Sequence, residues 1–325
     1  MTTRLTVLAT GGTIAGIAGS AIAQDYRAGE IGIEDYLEKV GGLGLEAELS
    51  GQQIANIDSA DMGPKVWNAL HRAITEALAD EGCSGVIVTH GTDTLEETAF
   101  LLDLTLPAEK PVVVVGAMRP ADAVGYDGLR NFANAVRVAS DPNAAGRGVL
   151  VVMGDRVFAA RDVRKVRTRG TEAFRGFPRE SIALVTPSSL EWFGAPWRGG
   201  DSAPFAWSDD LPEVVIVYVH AALCAEEVLR LVGEETRGIV LAGVGEGNMP
   251  ERVRQELALL AQDGIPVVRA SRAEEGLVDR ESEDTANRFV AARALNPQKA
   301  RILLQMLLAG GITDPAAIQK AFDGR

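Results

Sequence analysis

Two threonine hydroxyls, one carboxylate and one lysine carry the clearest chemical potential in this chain. The run Thr89-His90-Gly91-Thr92-Asp93-Thr94-Leu95-Glu96-Glu97-Thr98 follows the β-branched stretch Gly85-Val86-Ile87-Val88 and precedes an apolar segment, Ala99 to Leu104, with helical spacing. Its polar residues therefore sit at a strand-to-helix turn. Thr94 with Glu97 three residues on has the form of a capping box, which would start the helix there. Thr92 and Asp93 then lie beside unpaired helix N–H groups, a place to bind a small carboxylate and set a hydroxyl against it. A second hydroxyl, Thr13, is the first side chain past Gly11 and Gly12, adjacent glycines that let backbone approach a ligand closely. Lys165 stands between Val163 and Val166, close after Asp162, where partial burial would lower its pKa. Taken singly each turn is a weak signal, since well-capped loops far outnumber catalytic ones.

The elements that must bring these groups together are legible as an alternation. Apolar strand patterns at Leu5 to Ala9, Ile54 to Met62, Gly85 to Val88, Lys110 to Gly116 and Val149 to Met153 are separated by helical stretches near 34–40, 63–79, 95–104 and 128–139. Strands alternating with helices imply an α/β fold, a doubly wound and mostly parallel sheet. Such sheets bind ligands beyond the carboxyl ends of their strands. Thr13, Ser59, Thr92 with Asp93, and Ala117 all fall at those ends. Ser59 or Asp61 is placed to cap the helix at 63–79. The small residues Gly16, Gly19, Gly29 and Gly32 bracket Tyr26 and fit a mobile lid, an ordinary long loop being the plainer reading. Basic and apolar residues alternate from Arg161 to Arg167, the usual pattern of an exposed edge.

The Trp-, Pro-, Gly- and Ser-rich stretch after Ser188 marks a boundary. Residues 1–188 form an N-terminal domain carrying most of the candidate groups, 189–212 a linker, and 213–325 a smaller C-terminal α/β domain. Within the latter, Gly243-Val244-Gly245-Glu246-Gly247-Asn248 looks like a dinucleotide fingerprint, but Asn248 replaces the last glycine. A loop of tight turns explains it better than a nucleotide site.

Composition narrows the function. The 325 residues are 46% hydrophobic and 24% charged, as in folded globular domains. A net charge of −13 repels polyanions, so no nucleic acid partner is expected. No apolar run reaches the roughly 20 residues of a membrane span, and the amino terminus enters a strand pattern without a secretory leader, so the expected compartment is the cytoplasm. Cys83 and Cys224 read as free thiols, and the histidines at 71, 90 and 220 have no metal-ligand spacing. Neither a metal nor a cofactor is expected. A hydrolase without a Gly-x-Ser-x-Gly elbow needs another nucleophile.

Three loops, Ala9 to Gly16, Thr89 to Thr98 and Val115 to Pro120, together resemble the bacterial L-asparaginase family, the two-domain type that includes the glutaminase-asparaginases. Asn56 to Met62, Gly154 through Lys165, Gly243 to Asn248 and Leu295 to Arg301 match as well, so the resemblance runs nearly end to end. It implies a large N-terminal domain with a left-handed crossover, a small C-terminal domain, and homotetramers built from intimate dimers. It implies Thr13 as nucleophile with Tyr26, a trio of Thr92, Lys165 and Asp93, and Gly12, Ser59, Asp93 and Ala117 around the substrate. Asn248 and Glu281 match positions contributed by the neighbouring subunit, with Glu283 as the alternative to Glu281. The implied reaction is hydrolysis of L-asparagine to L-aspartate and ammonia, with some turnover of L-glutamine. An amidotransferase would need an added domain. A non-catalytic amino-acid sensor on the same fold would be expected to lack Thr13, Thr92 or Lys165. Two departures bear on specificity: Ala60 stands where a glutamine or glutamate is frequent, and Asp58 where glycine is, offering a carboxylate to the substrate's ammonium group. With Thr92 and Asp93 assigned, His90 reads as packing.

Overall fold

Val86-Ile87-Val88 and Val112-Val113-Val114-Val115 have no polar face, and such strands belong where both faces of a sheet are covered. In the computed structural model, which describes residues 2–20, 27–198 and 203–324, they are central. The chain divides into two compact units, Met1–Pro204 and Phe205–Arg325. The strands of the first unit are β1 (Arg4–Gly11), β2 (Glu48–Ile57), β3 (Gly85–Thr89), β4 (Val112–Val115), β5 (Val149–Met153), β6 (Arg156–Ala159), β7 (Val163–Lys165), β8 (Phe174–Gly176), β9 (Ala183–Val185) and β10 (Leu190–Trp192). Its helices are α1 (Ile33–Gly41), α2 (Pro64–Ala79), α3 (Leu95–Thr105) and α4 (Gly128–Ala139).

Eight strands form one sheet in the order β10-β9-β6-β5-β4-β3-β1-β2. From β2 to β5 every pairing is parallel, and β6, β9 and β10 add antiparallel strands at the far edge. The doubly wound, mostly parallel sheet expected from the sequence is therefore present. The strand expected from Ile54 starts earlier and ends sooner, as β2 over Glu48–Ile57. Side chains alternate between two cores. Leu5, Val7, Ile87, Val113 and Leu150 pack with α1 and α4, whereas Leu8, Val86, Val88, Val114 and Val151 pack with α2 and α3. Each such side chain, fully buried, contributes about 1.5–3 kcal/mol.

These faces also fix the handedness of the crossovers. The step from β1 to β2 passes over the α1 face, while β2 to β3 and β3 to β4 run the other way over the α2 and α3 face, so the three share one hand. The step from β4 to β5 runs in that second direction but crosses on the α1 face. With right-handed connections as the rule, β4-α4-β5 is left-handed. It carries the loop after β4 to the side of the sheet where α1 and Ile14 lie.

Two local expectations need correction. Helix α2 begins after Gly63 with Pro64 at its first turn, and neither Ser59 nor Asp61 caps it. Those residues instead form a short 3-10 turn capped by Asp58, whose Oδ1 accepts the Ala60 N–H at 2.9 Å. The segment from Arg161 is no exposed edge either. Asp162, Val163 and Arg164 are buried, with Arg164 stacked 5.0 Å from the Phe177 ring and Arg161 6.0 Å from that of Phe100. The long guanidinium stems cover apolar surface, which periodicity alone reads as solvation.

The second unit is a parallel sheet in the order β11 (Glu213–Tyr218), β12 (Thr236–Gly243), β13 (Val267–Ser271), β14 (Phe289–Ala291). Its helices are α5 (Ala225–Leu231), α6 (Glu251–Gln262), α7 (Ser282–Asn287), α8 (Pro297–Ala309) and α9 (Pro315–Asp323). The glycine loop after β12 folds on itself. Val244 and Asn248 form an antiparallel bridge, and a Cβ on Gly243 would lie 2.4 Å from the Gly247 carbonyl carbon. The glycines serve that self-contact, and α6 starts only at Glu251. This supplies the loop of tight turns and removes the fingerprint's strand-turn-helix geometry.

Candidate active site

The sheet order places β1 beside β3, with the chain leaving β1 toward one edge and β3 toward the other. That is the switch point where a doubly wound sheet opens a crevice. Thr13 follows β1 and Thr92 follows β3, so both reach this crevice from adjacent strands. The two turns touch through glycine. Gly12 has φ +79°, and a Cβ there would lie 2.3 Å from the backbone N and Cα of Gly91, so only hydrogens fit between the loops. A Cβ on Gly91 would in turn meet Ser59 Oγ at 2.7 Å, which brings the turn after β2 into the same cluster. Gly12 is otherwise engaged by its own backbone: its N–H donates to Ile57 O and its carbonyl accepts from Ala15 and Gly29. The buried Thr10 hydroxyl donates to Thr89 O at 3.0 Å, joining the ends of β1 and β3.

The second hydroxyl has a built partner. Lys165 Nζ donates to Thr92 Oγ1 at 2.8 Å and to Asp93 Oδ1 at 2.5 Å. The lysine side chain is mostly shielded while Asp93 is largely open, with side-chain exposures of 14% and 59%, so the carboxylate keeps an accessible face. A hydroxyl that accepts from lysine has its own hydrogen left to give. No described residue accepts from the Thr92 backbone N–H, which leaves that donor for a ligand. Ser59 is buried, and its Oγ accepts the Asp93 N–H at 3.2 Å.

The capping box expected at Thr94 is absent. Thr94 occupies the cap position of α3, but its hydroxyl donates to Ser59 O at 2.7 Å rather than closing on the helix. The consequence favours the site, because Ser59 and the Thr92 turn are fastened together through Thr94. Ala117 is fully buried at the next turn, after β4. Tyr26 lies outside the described residues.

Sequence reading missed Glu96. It is buried on the first turn of α3, and its Oε2 accepts the Lys165 backbone N–H at 2.6 Å. One helix start thus holds Thr92 and Asp93 directly and Lys165 through Glu96, bridging 69 residues of sequence. Next to Glu97, and on a helix that also carries Asp103, Glu96 gave no distinct signal in the sequence. In the second unit Asn248 is exposed on the self-closed loop, and Glu281 caps α7. Arg269, fully buried, reaches both places, donating to Glu246 O at 3.0 Å and to Glu281 Oε1 at 3.2 Å. Glu283 pairs with Arg254 at 3.5 Å.

His90 is wholly buried, and burial pushes its imidazole down to about 4. Its Nδ1–H donates to Gly91 O at 2.7 Å, and Nε2 has no partner among the described residues. A buried neutral ring of this kind shapes the loop. The unfolded chain, with a histidine near 6.5, binds a proton between pH 6.5 and 4 that the native state refuses, so this part of the stability is full above pH 6.5 and is lost as pH falls toward 4. The loss reaches about 3 kcal/mol. Unfolding curves of His90→Asn, which keeps a donor near Gly91 O, should show a flatter acid limb than the parent over that window.

Among the described residues no group of three His, Cys, Asp or Glu is arranged to hold a metal ion. Both cysteines are free. No helix there is long and apolar enough to cross a membrane.

Comparison with known proteins decides the family. The family described as Asparaginase, N-terminal, matches residues 4–198, and the Glutaminase/Asparaginase C-terminal domain matches residues 213–322. The chain belongs to the asparaginase family. Within that family, L-asparaginase 2 of Escherichia coli strain K12 is 42% identical over 98% of this chain and 92% of its own length. The probable periplasmic L-asparaginase of Haemophilus influenzae is 41% identical with the same coverage. The glutaminase-asparaginase of Pseudomonas fluorescens biotype A is 36% identical over 97% of this chain and 89% of its own length. Among solved structures, a probable cytoplasmic L-asparaginase from Campylobacter jejuni superimposes with a TM-score of 0.92 at 37% identity, covering 99% of this chain and 100% of the other.

Proposed function

We propose that this asparaginase-family chain hydrolyses L-asparagine to L-aspartate and ammonia through a threonine ester. The observation that carries the reading is the Thr92-Lys165-Asp93 trio, hydrogen-bonded and set against the Thr13 turn across the Gly12–Gly91 contact. In the first half-reaction Thr13 Oγ attacks the side-chain amide carbon while its proton passes to a base. The amide C–N bond then breaks, and the nitrogen leaves as ammonia after taking up a proton. Water attacks the resulting ester, releases aspartate and restores the hydroxyl. A threonine hydroxyl needs such a partner at neutral pH. A neutral Lys165, relayed through Thr92, and Tyr26 are the two groups for that role. The Thr92 N–H, with backbone of the Ala117 turn, faces the developing oxyanion, a donor of this kind being worth about 3 kcal/mol.

Ser59, Asp93 and the start of α3 supply donors and one carboxylate for the substrate's α-carboxylate and α-amino group. Asp58 stands beside them, exposed, with one oxygen on the Ala60 N–H, and its second oxygen is the candidate replacement for the amide side chain that Ala60 lacks. The first unit carries this chemistry; the boundary expected after residue 188 moves later, because β10 (Leu190–Trp192) belongs to the first sheet, and the second unit brings Asn248 and Glu281 to the site of a neighbouring copy in a homotetramer built from intimate dimers. Substrate is L-asparagine first and L-glutamine second, and the compartment is the cytoplasm. The presence of Thr13, Thr92 and Lys165 favours catalysis over a sensor.

Ammonia release from L-asparagine, L-glutamine and D-asparagine tests the reading, in the parent chain and in Ala60→Gln. L-asparagine should lead, and the added amide should lower its KM several-fold. A correctly folded protein that releases ammonia from none of the three would overturn the assignment.

A further inference from the structure

The 3-10 turn Thr13–Ala15 closes on its own backbone, Ala15 N–H to Gly12 O and Gly16 N–H to Thr13 O, but Gly12 at its start offers no side-chain cap. Ile31 N–H donates to Ala15 O at 2.9 Å from the segment that follows, and a second set of tethers comes from the loop after β4, more than a hundred residues away. Tyr126 Oη donates to Ile14 O at 2.6 Å, and Ala121 N–H donates to Gly16 O at 2.8 Å. The Asp122 carboxylate accepts two successive N–H groups, Ala18 at 2.9 Å and Gly19 at 2.7 Å. The same loop is pinned at its other side, where Asp127 Oδ1 accepts the Met118 and Arg119 N–H groups at 3.1 and 3.0 Å beside Ala117. The arrangement is packed rather than incidental. A Cβ on Gly128 would strike Tyr126 Oη at 2.1 Å, so the tyrosine can fold back over the start of α4 only because a glycine stands there. Tyr126 is partly buried, which raises its phenol and keeps it a donor, while the loop N–H groups hold Asp122 below the usual carboxylate range. The left-handed β4-α4-β5 connection delivers this loop to the Thr13 side of the sheet.

We infer that Asp122 and Tyr126 are positioning residues for the reaction, clamping the segment after Thr13 so that its hydroxyl keeps a fixed distance from the Ala117 turn. The inference rests on Thr13 as nucleophile. Neither residue touches substrate in this account, so both act on kcat and leave KM nearly untouched. Misplacing a reacting group by about 1 Å costs on the order of 100-fold, and loosening one of several tethers should cost about tenfold.

Tyr126→Phe removes one hydroxyl and keeps the ring, Asp122→Ala removes both acceptors, and Asp122→Asn keeps one. Asparagine turnover by the parent chain comes first, since its absence defeats the reading of the site and not the clamp. Given turnover, kcat should fall about tenfold in Y126F and in D122A, less in D122N, with KM within twofold and melting temperature within a few degrees. Unchanged kcat in both Y126F and D122A overturns the inference. So does a parallel fall of kcat, affinity and melting temperature, which would mark the two residues as keepers of the fold only. If D122A does not fold, Y126F with D122N decides between the same outcomes.

Discussion

Thr13→Ala should lower kcat for L-asparagine by about four orders of magnitude or more while the protein keeps its fold. The hydroxyl is the only part of Thr13 the mechanism consumes, and the turn that carries it is held by backbone contacts and by the loop after β4. Alanine removes one hydroxyl and one methyl from a buried position, so the thermal transition should move by only a few degrees. Substrate affinity should survive, because Ser59, Asp93 and the start of α3 are untouched. Thr13→Ser, which keeps the hydroxyl but loosens its rotamer, should retain a measurable part of the activity. Steady-state ammonia release with a melting curve for each variant checks these outcomes. Turnover within tenfold of the parent in Thr13→Ala would move the attack elsewhere.

The second large effect is expected at Lys165. Lys165→Met keeps the aliphatic stem against its neighbours and removes the nitrogen that bonds Thr92 and Asp93. Proton transfer by a positioned side chain is worth about 10²–10⁴-fold, and a fall of about 10³ in kcat is expected here. Lys165→Arg separates charge from proton exchange. A guanidinium remains positive beside Asp93 but gives up no proton at working pH, so it should rescue little. Restoration by arginine would reduce the role of Lys165 to holding Asp93. The double variant Thr92→Val with Lys165→Met should be no slower than the worse single one, since the two groups act as a unit.

The parts of the site legible in sequence were those set by local pattern. Strand ends announce themselves through apolar runs, so Thr13, Ser59, Thr92 and Ala117 could be placed at the carboxyl ends of their strands, which the sheet order makes neighbours. The parts that were hidden depend on partners distant in the chain. Nothing near Thr94 shows that its hydroxyl will prefer Ser59 O, 35 residues away, to its own helix. The same holds for Glu96 with Lys165 across 69 residues and Tyr126 with Ile14 across 112. The buried Arg164 escaped for another reason, because a stacked guanidinium and a solvated one have the same place in an alternating pattern. In each case a tertiary contact outweighed the local preference.

A covalent ester on Thr13 is the central claim, and it can be observed directly. Enzyme mixed with excess L-asparagine and quenched in acid within the first turnovers should yield a peptide containing Thr13 that is heavier by one aspartyl group, and the label should vanish in Thr13→Ala. The ester found on Thr92 instead, or ammonia released in a full first turnover with Thr13 never modified, would contradict the account.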